Sequence, residues 1–168
     1  MPDSKFEGNP LQQYRRFESF REYESLLDEM IPRTESAIRV FDRTLARAWN
    51  EKSRIDVLRQ FLLRDRTNKI MIVVHLAQNI DIENPRLIAL LGDFSHAVKI
   101  RLTPKMAQHL YDPFAIFDAS HYLHRFHHAH MRAAHGTHDV DGSRQLLDRF
   151  EELWEVSASL APASASGL

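Results

Sequence analysis

Ile70-Met71-Ile72-Val73-Val74 is the longest strongly apolar run in this chain of 168 residues. The run has the length of one strand, and because it does not alternate between apolar and polar residues, both of its faces are predicted to be buried. Such strands are typical of parallel sheets that are covered by helices. A membrane-spanning helix needs about 20 apolar residues, so the run is too short to cross a bilayer and we expect no membrane partner.

Helix and strand patterns alternate on both sides of this run. Before it, Ala37 to Phe41 has the length and the β-branched content of a strand, and Asn50 is predicted as the N-cap of the next helix. The apolar stripe of that helix consists of Ile55, Leu58, Phe61 and Leu62. After the run, Pro85 to Gly92 predicts a short helix and Ala97 to Leu102 predicts another strand. This β-α-β-α-β order favours parallel pairing with right-handed crossovers.

The outer parts of the chain add two helices and a hairpin. Ser19 and Glu22 have the spacing of a capping box, which predicts that a first helix begins after Ser19. Two short apolar segments, residues 114–117 and 122–126, are predicted to pair as a hairpin. A last helix from Asp141 carries a regular apolar stripe and is expected to pack on the sheet. We therefore predict an α/β fold with a mixed, mainly parallel β-sheet flanked by helices, in a single domain with a C-terminal packing helix.

The composition is that of an ordinary globular domain. Hydrophobic residues make up 43% of the chain and charged residues 27%, and the net charge of -1 gives no basic excess, so we do not expect nucleic acid as a partner. Because there is no cysteine, disulfides, thiol catalysis and cysteine-ligated metals are excluded. One domain is expected over residues 11–157, between a disordered N-terminus (1–10) and a disordered tail (158–168). No apolar export signal follows Met1, and we expect a cytoplasmic location.

The order of elements resembles that of the phospholipase-D-like superfamily, with a parallel α/β half, an antiparallel strand pair and a closing helix that contains Phe150-x-x-Leu153-Trp154. The resemblance covers residues 20–157 and is closer to an uncharacterised bacterial domain of that superfamily, sometimes fused behind an N-acetyltransferase domain. Active members carry H-x-K-x(4)-D followed by G-S-x-N, and two copies meet to form one phosphodiesterase site. In these members the histidine attacks phosphorus, the lysine and asparagine hold phosphate oxygens, and a second histidine protonates the leaving group.

This chain departs from the superfamily motif at the catalytic positions. When the motif is aligned on residues 111–118, Tyr111 stands at the histidine position, Pro113 stands at the lysine position, and only Asp118 is kept. The G-S-x-N positions are occupied by Arg125-Phe126-His127-His128. A phenol with a pKa of about 10 is a poor nucleophile at neutral pH, and proline has no side-chain donor. The resemblance therefore implies a degenerate domain that has kept the scaffold and lost catalysis, and our expectation leans against an enzyme.

The histidines form a cluster in the sequence, because seven of the ten fall within eighteen residues. They are His121, His124, His127, His128, His130, His135 and His138. Neutral imidazole is the commonest metal ligand, which makes His124, His128 and His130 candidate ligands of zinc or nickel. Arg125, His128 and Asp118 are candidate contacts to a bound phosphate or nucleotide. The remaining interpretation is a polar hairpin surface that binds no cofactor.

Three further polar residues follow the predicted parallel strands. Asp42 and Arg43 come directly after the first strand, and His75 ends the next. Open α/β sheets place ligands at the carboxyl ends of their strands, so these residues lie where a ligand could bind. The alternatives are a solvated turn for Asp42 and Arg43, and a buried, hydrogen-bonded histidine for His75.

Three functions are compatible with these residues. The first is a non-catalytic binding or regulatory domain. The second is a divergent phosphodiesterase or nuclease that uses the histidine-rich hairpin, for which His124 or His128 would have to converge with Asp118. The third is a metal-responsive protein that binds zinc or nickel. Because superfamily relatives with one motif pair to complete a site, the resemblance implies a homodimer, and a binding domain is expected to have a protein partner of unknown identity.

Overall fold

An eight-stranded sheet is the framework of the molecule in the computed structural model, which describes residues 10–109, 112–127 and 129–160. The strands are β1 (Gln13–Phe17), β2 (Ala37–Asp42), β3 (Lys69–Val74), β4 (Val98–Leu102), β5 (Phe114–Phe117), β6 (His121–Arg125), β7 (Ala133–Thr137) and β8 (Ala158–Ser159). The α-helices are α1 (Phe20–Arg33), α2 (Lys52–Arg64), α3 (Ile80–Glu83), α4 (Pro85–Asp93) and α5 (Val140–Val156). Arg47–Asn50 and Lys105–Ala107 are 3₁₀ helices.

The sheet is mixed, as predicted, but the prediction that it is mainly parallel was wrong. Its strand order is β1-β7-β6-β5-β2-β3-β4-β8. Only the β2–β3 and β3–β4 pairs are parallel, and the pairs on either side of them are antiparallel. The physical reason lies in the connections: parallel neighbours need a crossover of a dozen or more residues, whereas β5, β6 and β7 follow one another through short turns and loops.

Two strands at the borders of the sheet have no counterpart in the sequence prediction. β1 pairs with β7. Its sequence, Gln-Tyr-Arg-Arg-Phe, shows no apolar alternation, and every residue except Phe17 is exposed. At the other border, Ala158 and Ser159 pair with Leu102 and Arg101 of β4. The expectation that the chain is disordered from residue 158 was therefore wrong for these two residues, because backbone pairing does not need large apolar side chains. Residues 1–9 and 161–168 lie outside the described residues.

The helix termini confirm one capping prediction and correct another. The N–H of Glu22 donates to Ser19 Oγ at 3.2 Å, so α1 begins after Ser19 as predicted. Asn50, however, does not cap α2, whose N-cap is Glu51. Its side-chain oxygen accepts the backbone N–H groups of Arg86 and Leu87 instead, at 2.8 and 3.2 Å, and so caps α4. This capping of α4 depends on a tertiary contact, which no local sequence pattern indicates.

Helices cover both faces of the sheet. The larger core lies under α1, α2 and α4, where Leu27, Leu58, Phe61 and Leu87 are fully buried. On the opposite face, Leu146, Phe150 and Leu153 of α5 pack on β2, β3, β5 and β6, which confirms the predicted packing of the C-terminal helix. Among the described residues no helix combines the length and the apolar character needed to span a membrane.

Candidate functional site

One border of the sheet, where β2 and β6 end and β5 begins, holds two positions of the aligned motif, Pro113 and Arg125. In the strand register, Phe41 lies opposite Phe114, which in turn lies opposite His124. One step further along these strands, Asp42, Pro113 and Arg125 therefore stand side by side, and the Arg125 N–H donates to the Pro113 carbonyl at 2.8 Å. We call this border, formed by Asp42, His75, Pro113 and Arg125, the motif edge.

The carboxylate of Asp42 is buried beneath the motif edge, with 6% of the residue exposed. Its oxygens accept the backbone N–H groups of Arg43 at 2.8 Å and Ala46 at 3.1 Å, and so hold the loop that follows β2. Burial raises the pKa of Asp42 to about 6, against the opposing charge of Arg125 and the two amide donors. Burial and the charge of Asp42 in turn raise the pKa of Tyr23. The solvated-turn interpretation thus fails for Asp42, which is a structural anchor.

Arg125, a candidate ligand contact, is also buried, with 6% of the residue exposed. Its guanidinium carbon lies 5.8 Å from the centroid of the Phe20 ring, at the start of α1. The side chain is therefore on the α1 side of the sheet, covered by an aromatic ring.

His75 is a buried, hydrogen-bonded histidine, as one of the two interpretations expects. Only 2% of the residue is exposed, and its Nδ1 lies 2.6 Å from Thr103 Oγ1, just beyond the end of β4. Its ring makes a T-shaped contact with the ring of Phe41, with 5.0 Å between the centroids. Together with Arg43, Leu76 and Gln108 it lines a cavity of about 60 Å³, which is large enough for water but not for a substrate.

Asp118 occupies the turn between β5 and β6, with a left-handed backbone (φ 57°). Its carboxylate accepts hydrogen bonds from the N–H groups of Glu35 (3.0 Å), Ser36 (2.8 Å) and Ala37 (3.2 Å), and from Ser36 Oγ (2.8 Å). Although burial opposes ionisation, these four donors lower the pKa of Asp118. The retained acidic residue of the motif thus fastens the hairpin to the start of β2.

The hairpin separates Asp118 from Arg125, which is another candidate ligand contact. Phe117 pairs with His121 at the turn, whereas Phe114 pairs with His124 at the far end. A strand rises about 3.3 Å per residue, so Asp118 lies roughly 15 Å from the motif edge. The structure therefore does not bring Asp118 together with His124 or Arg125.

The candidate metal ligands that the structure describes, His124 and His130, do not belong to a cluster of three potential ligands. His124 lies between Phe114 and Phe126, and its Nε2 is 3.8 Å from a carboxylate oxygen of Asp112. Burial lowers the pKa of His124 despite that carboxylate. His130 is exposed in the β6–β7 loop and stacks on His127 at 5.4 Å. Within residues 10–109, 112–127 and 129–160 no three potential ligands converge.

The remaining histidines are dispersed over the sheet. His121 Nδ1 accepts the backbone N–H of His138 at 3.0 Å, and the two rings meet at the Asp118 end of the hairpin. His135 is buried against α1, with its Nε2 3.3 Å from Met30 Sδ. Two predicted site residues, Tyr111 and His128, lie outside the described residues.

The structure is similar to that of the phospholipase D family member Nuc from Salmonella typhimurium, with a TM-score of 0.66, 12% identity, and coverage of 89% of this chain and 98% of that chain. NucT from Helicobacter pylori gives a TM-score of 0.62 at 12% identity, over 89% of this chain and 99% of that chain. TrmBL2, an archaeal chromatin protein, gives 0.65 at 13% identity, over 94% of this chain but only 57% of that protein. At these identities the likeness establishes the fold, which is phospholipase-D-like.

Comparison with curated proteins finds no match to this chain. A family model, by contrast, matches residues 20–162, from the first residue of α1 to just beyond β8. The match includes the motif edge and the histidine-rich hairpin. The chain therefore belongs to the family described as the domain of unknown function DUF7931.

Proposed function

We propose that this chain is a non-catalytic phospholipase-D-like domain that acts by binding or regulation. The observation that carries the proposal is Pro113, which stands where active superfamily members have the lysine of their motif. Proline has no side-chain donor, and the Pro113 carbonyl already accepts the Arg125 N–H that joins β5 to β6. A donor to the phosphoryl group is therefore missing at the position where the superfamily mechanism needs one.

The other motif positions support the same proposal. Asp118 is kept, but its carboxylate is engaged with four donors at the start of β2. Tyr111 offers a phenol in place of an imidazole, and Arg125 lies under Phe20. Loss of one electrostatic donor from an active site commonly costs about 100- to 1,000-fold in rate, and here both the lysine and the nucleophile are replaced.

The alternative of a divergent phosphodiesterase is less well supported. It requires that His124 or His128 converge with Asp118, yet His124 lies at the other end of the hairpin and His128 lies outside the described residues. The alternative of a metal-responsive protein requires three convergent ligands, and the described residues hold no such group. The non-catalytic proposal needs neither arrangement.

The fold itself is compatible with binding as well as with catalysis. One similar structure belongs to a phosphatidylserine synthase of Haemophilus influenzae, and this chain covers 41% of it at a TM-score of 0.58. Another, TrmBL2, is described as showing a novel mode of DNA binding. Because one fold can host many functions, the choice between a binding and a catalytic function rests on the residues of the site.

The proposal is tested by hydrolysis of an activated phosphodiester, bis(4-nitrophenyl) phosphate, by tag-free protein. We expect the release of nitrophenol to equal that of heat-inactivated protein. The matched variant carries His124→Ala and His128→Ala, which remove the two imidazoles that a divergent mechanism would use. Turnover that is proportional to protein concentration and disappears in this double variant would overturn the proposal.

A further inference from the structure

A small pocket lies where β1 ends and the β6–β7 loop closes. Its volume is about 150 Å³, and it is lined by Arg16, Phe17, Glu18, Phe126, Arg132 and Ala133. Sites for drug-sized ligands usually measure about 300–1,000 Å³. The pocket therefore has room for one functional group of a larger partner rather than for a whole cofactor.

Two arginines and one glutamate line this pocket, so the lining carries a net positive charge. Arg16 lies over the ring of Phe126, with 5.5 Å between its guanidinium carbon and the ring centroid, and this cation–π contact keeps the side chain at the pocket. Arg132 is exposed, and its carbonyl accepts the Phe126 N–H at 2.7 Å, which closes the loop. Neither guanidinium forms an ion pair with a described carboxylate, although Glu18 lines the same pocket. Two cations against one anion favour a carboxylate or a similar anion as the occupant.

β1 also has an outer backbone edge, and among the described residues no strand pairs with that edge. β1 pairs with β7 on one side and is the terminal strand of the sheet on the other. Its first four residues, Gln13 to Arg16, are exposed. The N–H and C=O groups on the outer edge of such a strand can pair with an added strand, which is a common mode of peptide recognition.

The charges on β1 discriminate among the possible occupants. Antiparallel pairing of two copies centred on β1 would place Arg15 opposite Arg15, and like charges in direct opposition are destabilising. Nucleic acid binding depends on several phosphate contacts, whereas the chain has a net charge of -1 and this patch is small. An extended peptide with acidic side chains satisfies both the outer edge and the cationic pocket.

We propose that β1 and its pocket form a docking site for an extended acidic segment of a partner protein. The segment adds to β1 as a strand and places one carboxylate between Arg16 and Arg132. The inference rests on the proposed function, since it names the partner of a binding domain. The two are tested separately, because the peptide experiment does not measure hydrolysis and the hydrolysis assay does not measure peptide binding.

β1 supplies its own matched control. Arg15 precedes Arg16 and is exposed as well, but it is ion-paired with Glu22 of α1 at 3.4 Å and does not line the pocket. Replacement of Arg15 by alanine removes the same charge from the same strand. A difference between Arg15→Ala and Arg16→Ala therefore reports on the pocket rather than on the net charge.

The probe is a fluorescein-labelled octapeptide of alternating glutamate and threonine, whose binding to the full chain is measured by fluorescence anisotropy. We expect a Kd below about 1 mM, and we expect Arg16→Ala and Arg132→Ala each to weaken binding about tenfold, as the loss of a charge-assisted hydrogen bond does. Arg15→Ala is expected to change the Kd by less than about twofold. Methylation of alternate peptide nitrogens should abolish binding, since strand addition needs those donors.

Three results would overturn this proposal. The first is no binding of the peptide at millimolar concentration, and the second is equal weakening by Arg15→Ala and Arg16→Ala. The third is stronger binding of single-stranded DNA than of the peptide through Arg16 and Arg132, which would make the surface a nucleic-acid site. Thermal melting of each variant checks that the three exposed replacements leave the fold intact.

Discussion

Strands β3 and β7 are both paired on two sides, yet they are packed in different ways. β3 has the sequence Lys-Ile-Met-Ile-Val-Val, and its buried aliphatic side chains fill the spaces under the helices. β7 has the sequence Ala-Ala-His-Gly-Thr, and its first four residues are buried although they are small or polar. Around β7, large side chains come from neighbouring elements: the Tyr122 ring lies over Gly136, and Met30 meets His135. β3 is therefore held by buried apolar area, whereas β7 is held by close packing of neighbouring side chains around small residues and a buried histidine.

The largest expected effect tests the apolar contribution of β3. Ile72 of β3 is fully buried. Ile72→Ala should lower the free energy of unfolding by about 2–5 kcal/mol, because it loses the favourable burial of the removed methyl and methylene groups and also leaves a cavity. Urea denaturation measures the change. Lys69→Ala, at the exposed start of the same strand, is the control and should stay within about 0.5 kcal/mol of the wild type. Equal losses in the two variants would show that β3 is not held by apolar burial.

A smaller effect is expected from one added methyl group in β7. A Cβ at Gly136 would lie 2.3 Å from ring carbons of Tyr122, whose hydroxyl donates to Asp139 at 2.8 Å and so holds the ring in place. Gly136→Ala should therefore cost about 1–3 kcal/mol of unfolding free energy, as overpacking does.

The control for this prediction is the glycine of α4. A Cβ at Gly92 meets nothing within 4 Å, and alanine is favoured over glycine in a helix by about 1 kcal/mol. Gly92→Ala should thus raise stability while Gly136→Ala lowers it, in the same urea experiment. If Gly136→Ala were neutral, the Tyr122 ring would have to move freely, and the description of β7 as a closely packed strand would fail.

The same contrast explains which features the sequence predicts. The sequence predicts the strands and helices β2, β3, β4, α2 and α4. Each contains an apolar run or a helical apolar stripe, which indicates the residues that are buried. β1 is not predictable, since exposed residues pair through the backbone alone. The two parallel pairs and the β5–β6 hairpin were predicted correctly, whereas the expectation of a mainly parallel sheet was wrong, because the hairpin joins the sheet antiparallel beside β2 and no local pattern specifies that choice.

The candidate site divides in a similar way. The loss of a donor at Pro113 is visible in the sequence, because a missing side-chain group needs no tertiary information. The role of Asp118 is not visible, since its partner Ser36 is 82 residues away. The histidine cluster misleads for the same reason: alternation and the length of β6 send His121 and His124 to opposite faces and opposite ends of the hairpin. Proximity in sequence is a poor guide to convergence on strands.

The smallest expected effect is a dependence of stability on pH. This effect distinguishes β7 from β3 most directly. Burial, opposed by the charge of Glu29, lowers the pKa of His135 in the folded protein. The unfolded chain therefore takes up a proton near pH 6.5 that the folded chain resists. Stability is independent of this group above that pH and falls as the pH drops below it, by at most about 1.4 kcal/mol per pH unit.

His135→Gln should accordingly flatten the decline of the unfolding free energy between pH 7.5 and 5.5. The exposed His96→Gln, next to β4, should leave the decline unchanged. The comparison must be made between variants, because Asp42, with a folded pKa of about 6, contributes in the opposite direction: the folded state binds its proton first, so this group favours folding as the pH falls. Equal slopes for His135→Gln and the wild type would mean that Met30 and α1 tolerate the charged imidazole. The buried polar residue of β7 would then be as indifferent to pH as the aliphatic residues of β3.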